Sequence, residues 1–269
     1  MNRRAFLALP LLSPLALAAE SEQKPLVIRP ARTSKWKAGP RDVQKVLDSA
    51  GYELWRHFPD RTLDPILVEP RGGPITLFRR GPKGEYYVRL DTGSTYWCQY
   101  AFQFAHELCH ILCNYKDSAK ANKWFEESLC EMASLFALRG MAQTWKTKPP
   151  YPNWRSFHTS LHKYAADRIG RAQLPEGTTL AQWYRQNEPV LRRNATMREK
   201  NNIVAVQLLP LFEKYPDQWP AVGALNAKPT GKPRSFQQYL RDWQASAPER
   251  HRDFIRHIAS LFDVELPKS

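Results

Sequence analysis

His106, Glu107 and His110, in the run HELCH, carry the densest chemistry in this chain. Residues four apart on an α-helix share a face, so both imidazoles can reach one metal ion. Glu107 lies about 100° around the helix from His106. There it can bond a metal-bound water without taking a ligand position. Two imidazole ligands beside a general base are the requirements of zinc-assisted hydrolysis.

The surrounding pattern supports a helix with one side on a cleft. Gln99, Gln103, His106, His110 and Cys113 fall on one side, and Phe104, Ala105, Leu108, Ile111 and Leu112 on the other. The first face is polar but poor in charge, unlike a solvated helix face. A zinc site needs a third protein ligand and a position left for water. The next helical run, Trp124 to Glu131, offers Glu127 as that ligand and Glu131 as a carboxylate that orients a ligating imidazole. Cys130 and Ser134 flank Glu127 with small side chains, leaving room for a metal. A turn around Asn114 to Asp117 would bring the two helices together.

HELCH followed by WFEESLCE resembles the gluzincin metallopeptidases, the class of thermolysin and the aminopeptidase N group. Trp124 and Glu127 match that group's Trp-x-x-Glu-Gly-x-Ala pattern, with small Ser128 and Cys130 at its other marked positions. The Glu127–Glu131 spacing is similar to that of the thermolysin side. The gap from His110 to Glu127 is slightly shorter than in either group, so Glu126 and Glu131 stay open as the ligand. No Gly-x-Met-x-Asn exopeptidase motif is present, so aminopeptidase activity is not implied. The resemblance covers roughly residues 85 to 140 and implies zinc, a peptide or protein substrate, and Glu107 as the base. It also implies an edge strand for peptide pairing, placed at Tyr86 to Leu90, and a Tyr or His that stabilises the oxyanion. For the latter Tyr184 is taken first, with Tyr164, His158 and His162 as alternatives. Two other readings stand beside the zinc metallopeptidase. One is a zinc hydrolase of a non-peptide envelope amide, the other an inactive zincin-fold binding or scaffold protein.

The elements that must position these residues follow in order. Residues 19–40 are polar and rich in Pro and Lys, and read as an extended arm. Arg41 to Ser49 reads as a short helix. Ile66 to Val68, Ile75 to Phe78 and Tyr86 to Leu90 read as strands separated by Gly/Pro turns. The expected fold is α+β and zincin-like. It has a small, mostly antiparallel N-terminal sheet, an active-site helix and a third-ligand helix within residues 41–145, then a helical C-terminal lobe over 146–269. Thr179 with Gln182, Thr196 with Glu199 and Ser235 with Gln238 have capping-box spacing at helix starts.

Residues 1–18 read as a signal peptide, with Arg3 and Arg4 before a short apolar stretch and Ala16-Leu17-Ala18 before cleavage. Arg3 to Leu7 also resembles the twin-arginine export signal. The expected location is therefore periplasmic or secreted, with no transmembrane segment in the mature protein. The 269 residues carry 40 Lys and Arg against 26 Asp and Glu, a charge of +14. Loss of Arg3 and Arg4 leaves 38 against 26, or +12. The charge is scattered rather than striped with aromatics, so an anionic envelope surface suits it better than nucleic acid. Cys98, Cys109, Cys113 and Cys130 surround the proposed metal. Buried thiols, a Cys109–Cys130 or Cys113–Cys130 disulfide, and Cys113 as a zinc ligand are all open.

Overall fold

The computed structural model describes residues 24–114, 121–227 and 233–268. The leader expected over residues 1–18 lies outside these, as does most of the turn expected after Asn114. The chain is α+β and 61% helical, with a four-stranded sheet. Among the described residues no helix is long and apolar enough to cross a membrane.

The expected extended arm contains a strand, β1 (Ile28–Pro30). A 16-residue helix, α1 (Pro40–Trp55), follows. Proline at its first position suits a site whose N–H has no helical partner. The helix continues past the expected Ser49 because Val43, Val46, Leu47, Ala50 and Leu54 keep one buried face going. It passes through Gly51, a weak helix former. A Cβ there would lie 2.9 Å from Ile28 Cδ1 and 3.0 Å from Leu26 Cδ2, so the glycine lets the arm seat against α1. The indoles of Trp36 and Trp55 donate to the Ala31 and Lys24 carbonyls and fasten the rest of the arm.

The sheet corrects the expected antiparallel arrangement. Strands β2 (Ile66–Pro70), β3 (Ile75–Leu77) and β4 (Tyr86–Leu90) join β1 in the order β1-β2-β4-β3. β1–β2 and β2–β4 are parallel, and β3–β4 alone is antiparallel. Helix α1 supplies the crossover that a parallel β1–β2 pair needs. After β2 the chain passes over the end of β4 to reach the far edge. A Cβ on Gly73 would lie 2.2 Å from the Arg89 carbonyl oxygen, so only glycine permits that crossing. Tyr86–Leu90, expected as the edge, is therefore interior, and β1 and β3 are the edges.

Helix α2 (Trp97–Leu112) carries HELCH, and α3 (Lys123–Thr147) carries the glutamates. α3 is buried without interruption from Trp124 to Leu138 and packs against α1, α2, α4 (His158–Arg171) and α6 (Arg198–Lys214). Helices α5 (Leu180–Arg193), α7 (Phe236–Ser246) and α8 (Glu249–Ser260) complete the C-terminal part. One apolar cluster runs from Ile28 to Leu266, so the N- and C-terminal halves share a core. Thr179 and Gln182 form the reciprocal capping box, and Ser235 caps α7 through the Gln238 N–H. Thr196 does not cap α6: its N–H and hydroxyl go to Asn194 Oδ1.

Candidate metal centre

Helix α2 aims both imidazoles at α3. His106 Nε2 lies 3.3 Å, and His110 Nε2 3.6 Å, from the same atom, Glu127 Oε2. The opposite ring nitrogens face other carboxylates. His110 Nδ1 donates to Glu126 Oε1 at 2.6 Å, and His106 Nδ1 stands 3.7 Å from Glu131 Oε1. His106, His110 and Cys130 are also grouped closely enough to bind a metal ion, with ligand atoms within 4.8 Å of one another. His158 and His162 are not part of that grouping.

Each carboxylate has its own support. Asn226 donates to Glu126 Oε2 at 2.7 Å, and Tyr239 donates to Asn226 Oδ1 at 3.1 Å. Arg198 Nε meets Glu131 Oε1 at 3.1 Å, and Lys123 Nζ approaches Glu127 Oε1 at 3.9 Å. The base expected at Glu107 is fixed from β3: Thr76 Oγ1 lies 2.9 Å from Glu107 Oε2 and 3.0 Å from the Glu107 carbonyl. At the end of α2, the half-buried Arg61 guanidinium donates to the Ile111 and Leu112 carbonyls, satisfying acceptors the helix leaves open.

Glu107, Glu126, Glu127 and Glu131 are all buried. Two fixed cations, Lys123 and Arg198, touch them. Buried carboxylates are costly unless compensated by hydrogen bonds or positive charge. His110 supplies one such charge. Burial opposes the His110 cation, but Glu126 and Glu127 outweigh it and hold its pKa well above the usual value. Burial also opposes the Glu127 anion, and the two imidazoles overcome it, pulling that carboxyl far below the ordinary range.

The structure brings His106, His110, Glu127 and Glu131 into one cluster, while Glu107, next to His106 on α2, has its carboxylate on Thr76. Tyr184 stands apart from it, stacked on Trp124 at 5.3 Å and edge-on to Phe262. Burial drives its phenol pKa far upward. Tyr164, the alternative, lines a cleft of about 190 Å³ beside His106. All four cysteines are free. Cys109 contacts the thiols of Cys113 and Cys130 in a fully buried layer. Sequence reading missed Thr76, Asn226, Tyr239 and Arg198. Glu126 was weighed only as a ligand, and no local signal marked it as the partner of His110 Nδ1.

Comparisons with protein families, with curated proteins and with solved structures found no match.

Proposed function

We propose that the chain is an exported zinc-dependent hydrolase of the gluzincin type, acting on peptide bonds. The carrying observation is the convergence of two Nε2 atoms and Glu127 Oε2. Ligands about 2.0–2.1 Å from a tetrahedral zinc stand roughly 3.3 Å apart, close to the 3.3 and 3.6 Å that separate Glu127 Oε2 from the two imidazole nitrogens. His106, His110 and Glu127 would hold it, with Glu126 and Glu131 orienting the imidazoles. Bound zinc would supply Lewis acidity and lower the pKa of its water.

The chain's own residues supply the rest. Thr76 fixes one oxygen of Glu107, so that carboxylate is oriented to take a proton from the attacking water and return it to the leaving amine. Edge strand β3 presents unpaired main-chain groups with Ile75 and Phe78 exposed, a surface for an extended peptide to add to by main-chain hydrogen bonds. Tyr164 is placed nearer the cleft than Tyr184 for stabilising an oxyanion. Export rests on the leader-like residues 1–18.

A second metal set, His106, His110 and Cys130, has its own support in their proximity. Its ligand atoms lie within 4.8 Å of one another, and Cys130 is also engaged with Cys109. The test is zinc content with hydrolysis. The parent should bind one zinc and cleave peptides, while Glu107→Gln should hold the zinc and lose cleavage. Absence of zinc, or equal rates in the two proteins, overturns the proposal.

A further inference from the structure

The cleft beside His106 is built for an anion. It runs along α2 from Gln99 to His106, and Arg168 of α4 and Arg198 of α6 line its other side. None of its lining side chains is acidic. Arg168 is held as a rigid fork. Its guanidinium carbon lies 3.9 Å from the Phe102 ring centre, and its Nη2 donates to the Tyr164 hydroxyl at 2.8 Å. Among the described residues no carboxylate pairs with Arg168. Its neighbour Asp167 is taken by Lys163 at 3.1 Å. Arg198 spends Nε on Glu131, and its side chain is 57% exposed. A planar guanidinium with donors to spare matches a carboxylate in two parallel hydrogen bonds.

We propose that this cleft recognises a carboxylate on the substrate, so that peptides are selected by a negative charge close to the bond attacked beside His106. This rests on the hydrolase reading for its substrate class, and deepens it. Two sources share the chemistry: the α-carboxylate of a chain end, and the side chain of Asp or Glu. The fork leaves the choice between them to experiment. Its ordering by Phe102 and Tyr164 means that little side-chain freedom is lost when the anion arrives.

The test is binding by calorimetry to zinc-loaded full-length Glu107→Gln, which leaves the peptides intact. The probes are acetyl-Gly-Gly-Phe as the free acid, the same peptide as its amide, and acetyl-Gly-Asp-Phe-amide. The free acid or the Asp peptide should bind roughly tenfold or more tightly than the neutral amide, the scale of one charge-assisted pair. Whichever of the two gains identifies the source. Adding Arg168→Gln should erase the gain, and adding Arg198→Gln, on an exposed side chain, should reduce it. Equal affinity of all three probes overturns the proposal, as does binding of none, or a gain that survives both arginine substitutions. If Arg168→Gln does not fold, the probe comparison and Arg198→Gln still decide. The hydrolase reading fails separately. A parent that cleaves the neutral amide without preferring a carboxylate keeps the function and loses this cleft. A carboxylate preference in a protein that cleaves no peptide leaves the cleft and ends the peptidase reading.

Discussion

Helix α3 meets an imidazole at two places and treats them in opposite ways. Near its start, His110 is surrounded by Glu126 and Glu127 and is held protonated. Further along, the Phe136 ring lies edge-on to His57 at 5.6 Å, and His57 Nε2 is buried with no hydrogen-bond partner. There burial comes first and the Arg56 charge adds to it, against a weaker opposing pull from Asp217, and the pKa falls to about 4. Both side chains lose water, His110 almost fully and His57 in part, so burial alone does not separate them. The neighbours do: carboxylates make one end of α3 a cation site, and an aromatic wall makes the other a neutral, apolar contact.

Substitutions at each end test the contrast. Glu127→Gln removes a converging oxygen and should lower zinc affinity by more than about 100-fold, beyond the effect of an orienting group. A chelator competition titration measures it, and unchanged affinity would break the assignment. Glu126→Gln keeps the shape but removes the anion at His110 Nδ1. It should weaken zinc by about 10–100-fold in the same titration. A loss as large as that of Glu127→Gln would make Glu126 the ligand instead.

The aromatic end should respond to acid rather than to metal. The unfolded chain protonates His57 at its ordinary value near 6.5, and the folded chain only near 4. The unfolded state therefore binds more protons between these values, and stability falls as pH drops from about 6.5 to about 4. In His57→Leu that part of the slope should vanish, as read by denaturant midpoints across the range. A parent curve as flat as the variant's would refute the neutral, half-buried imidazole. The smallest effect is expected at Cys130→Ser, with zinc affinity changed by less than about threefold because the thiol belongs to the layer with Cys109. A larger drop would favour the His106, His110 and Cys130 set.

Sequence reading reached some of these features and not others, for physical reasons. The spacing of His106, His110, Glu127 and Glu131 is local, and helical geometry converts it directly into shared faces. Glu107 follows from the same turn. The sheet order was out of reach. Gly72 and Gly73 mark where the chain turns but not which strand it pairs with next, and β4 slips between β2 and β3 from 16 residues downstream. β1 is three residues long in a Pro- and Lys-rich stretch, too short to show alternation. Asn226, Arg168 and Arg198 join the site through tertiary packing alone, far along the chain from the helices they serve. Tyr184 carried a polar hydroxyl, and nothing nearby in the sequence announced the ring of Trp124, Phe236 and Phe262 that encloses it.

The unbroken burial of α3 from Trp124 to Leu138 has a mechanical consequence. The helix that carries Glu127 is gripped at once by α1, α2, α4 and α6, elements drawn from both halves of the chain. Among the described residues one apolar cluster spans those halves, so a swing of one on the other would have to break a shared core. On the proposed reading, a substrate would meet a groove already in its working shape. Selection would then fall to what the rim presents, Ile75 and Phe78 along one edge and two guanidinium groups along another, rather than to a closing motion. Such a site would spend little binding energy on ordering itself.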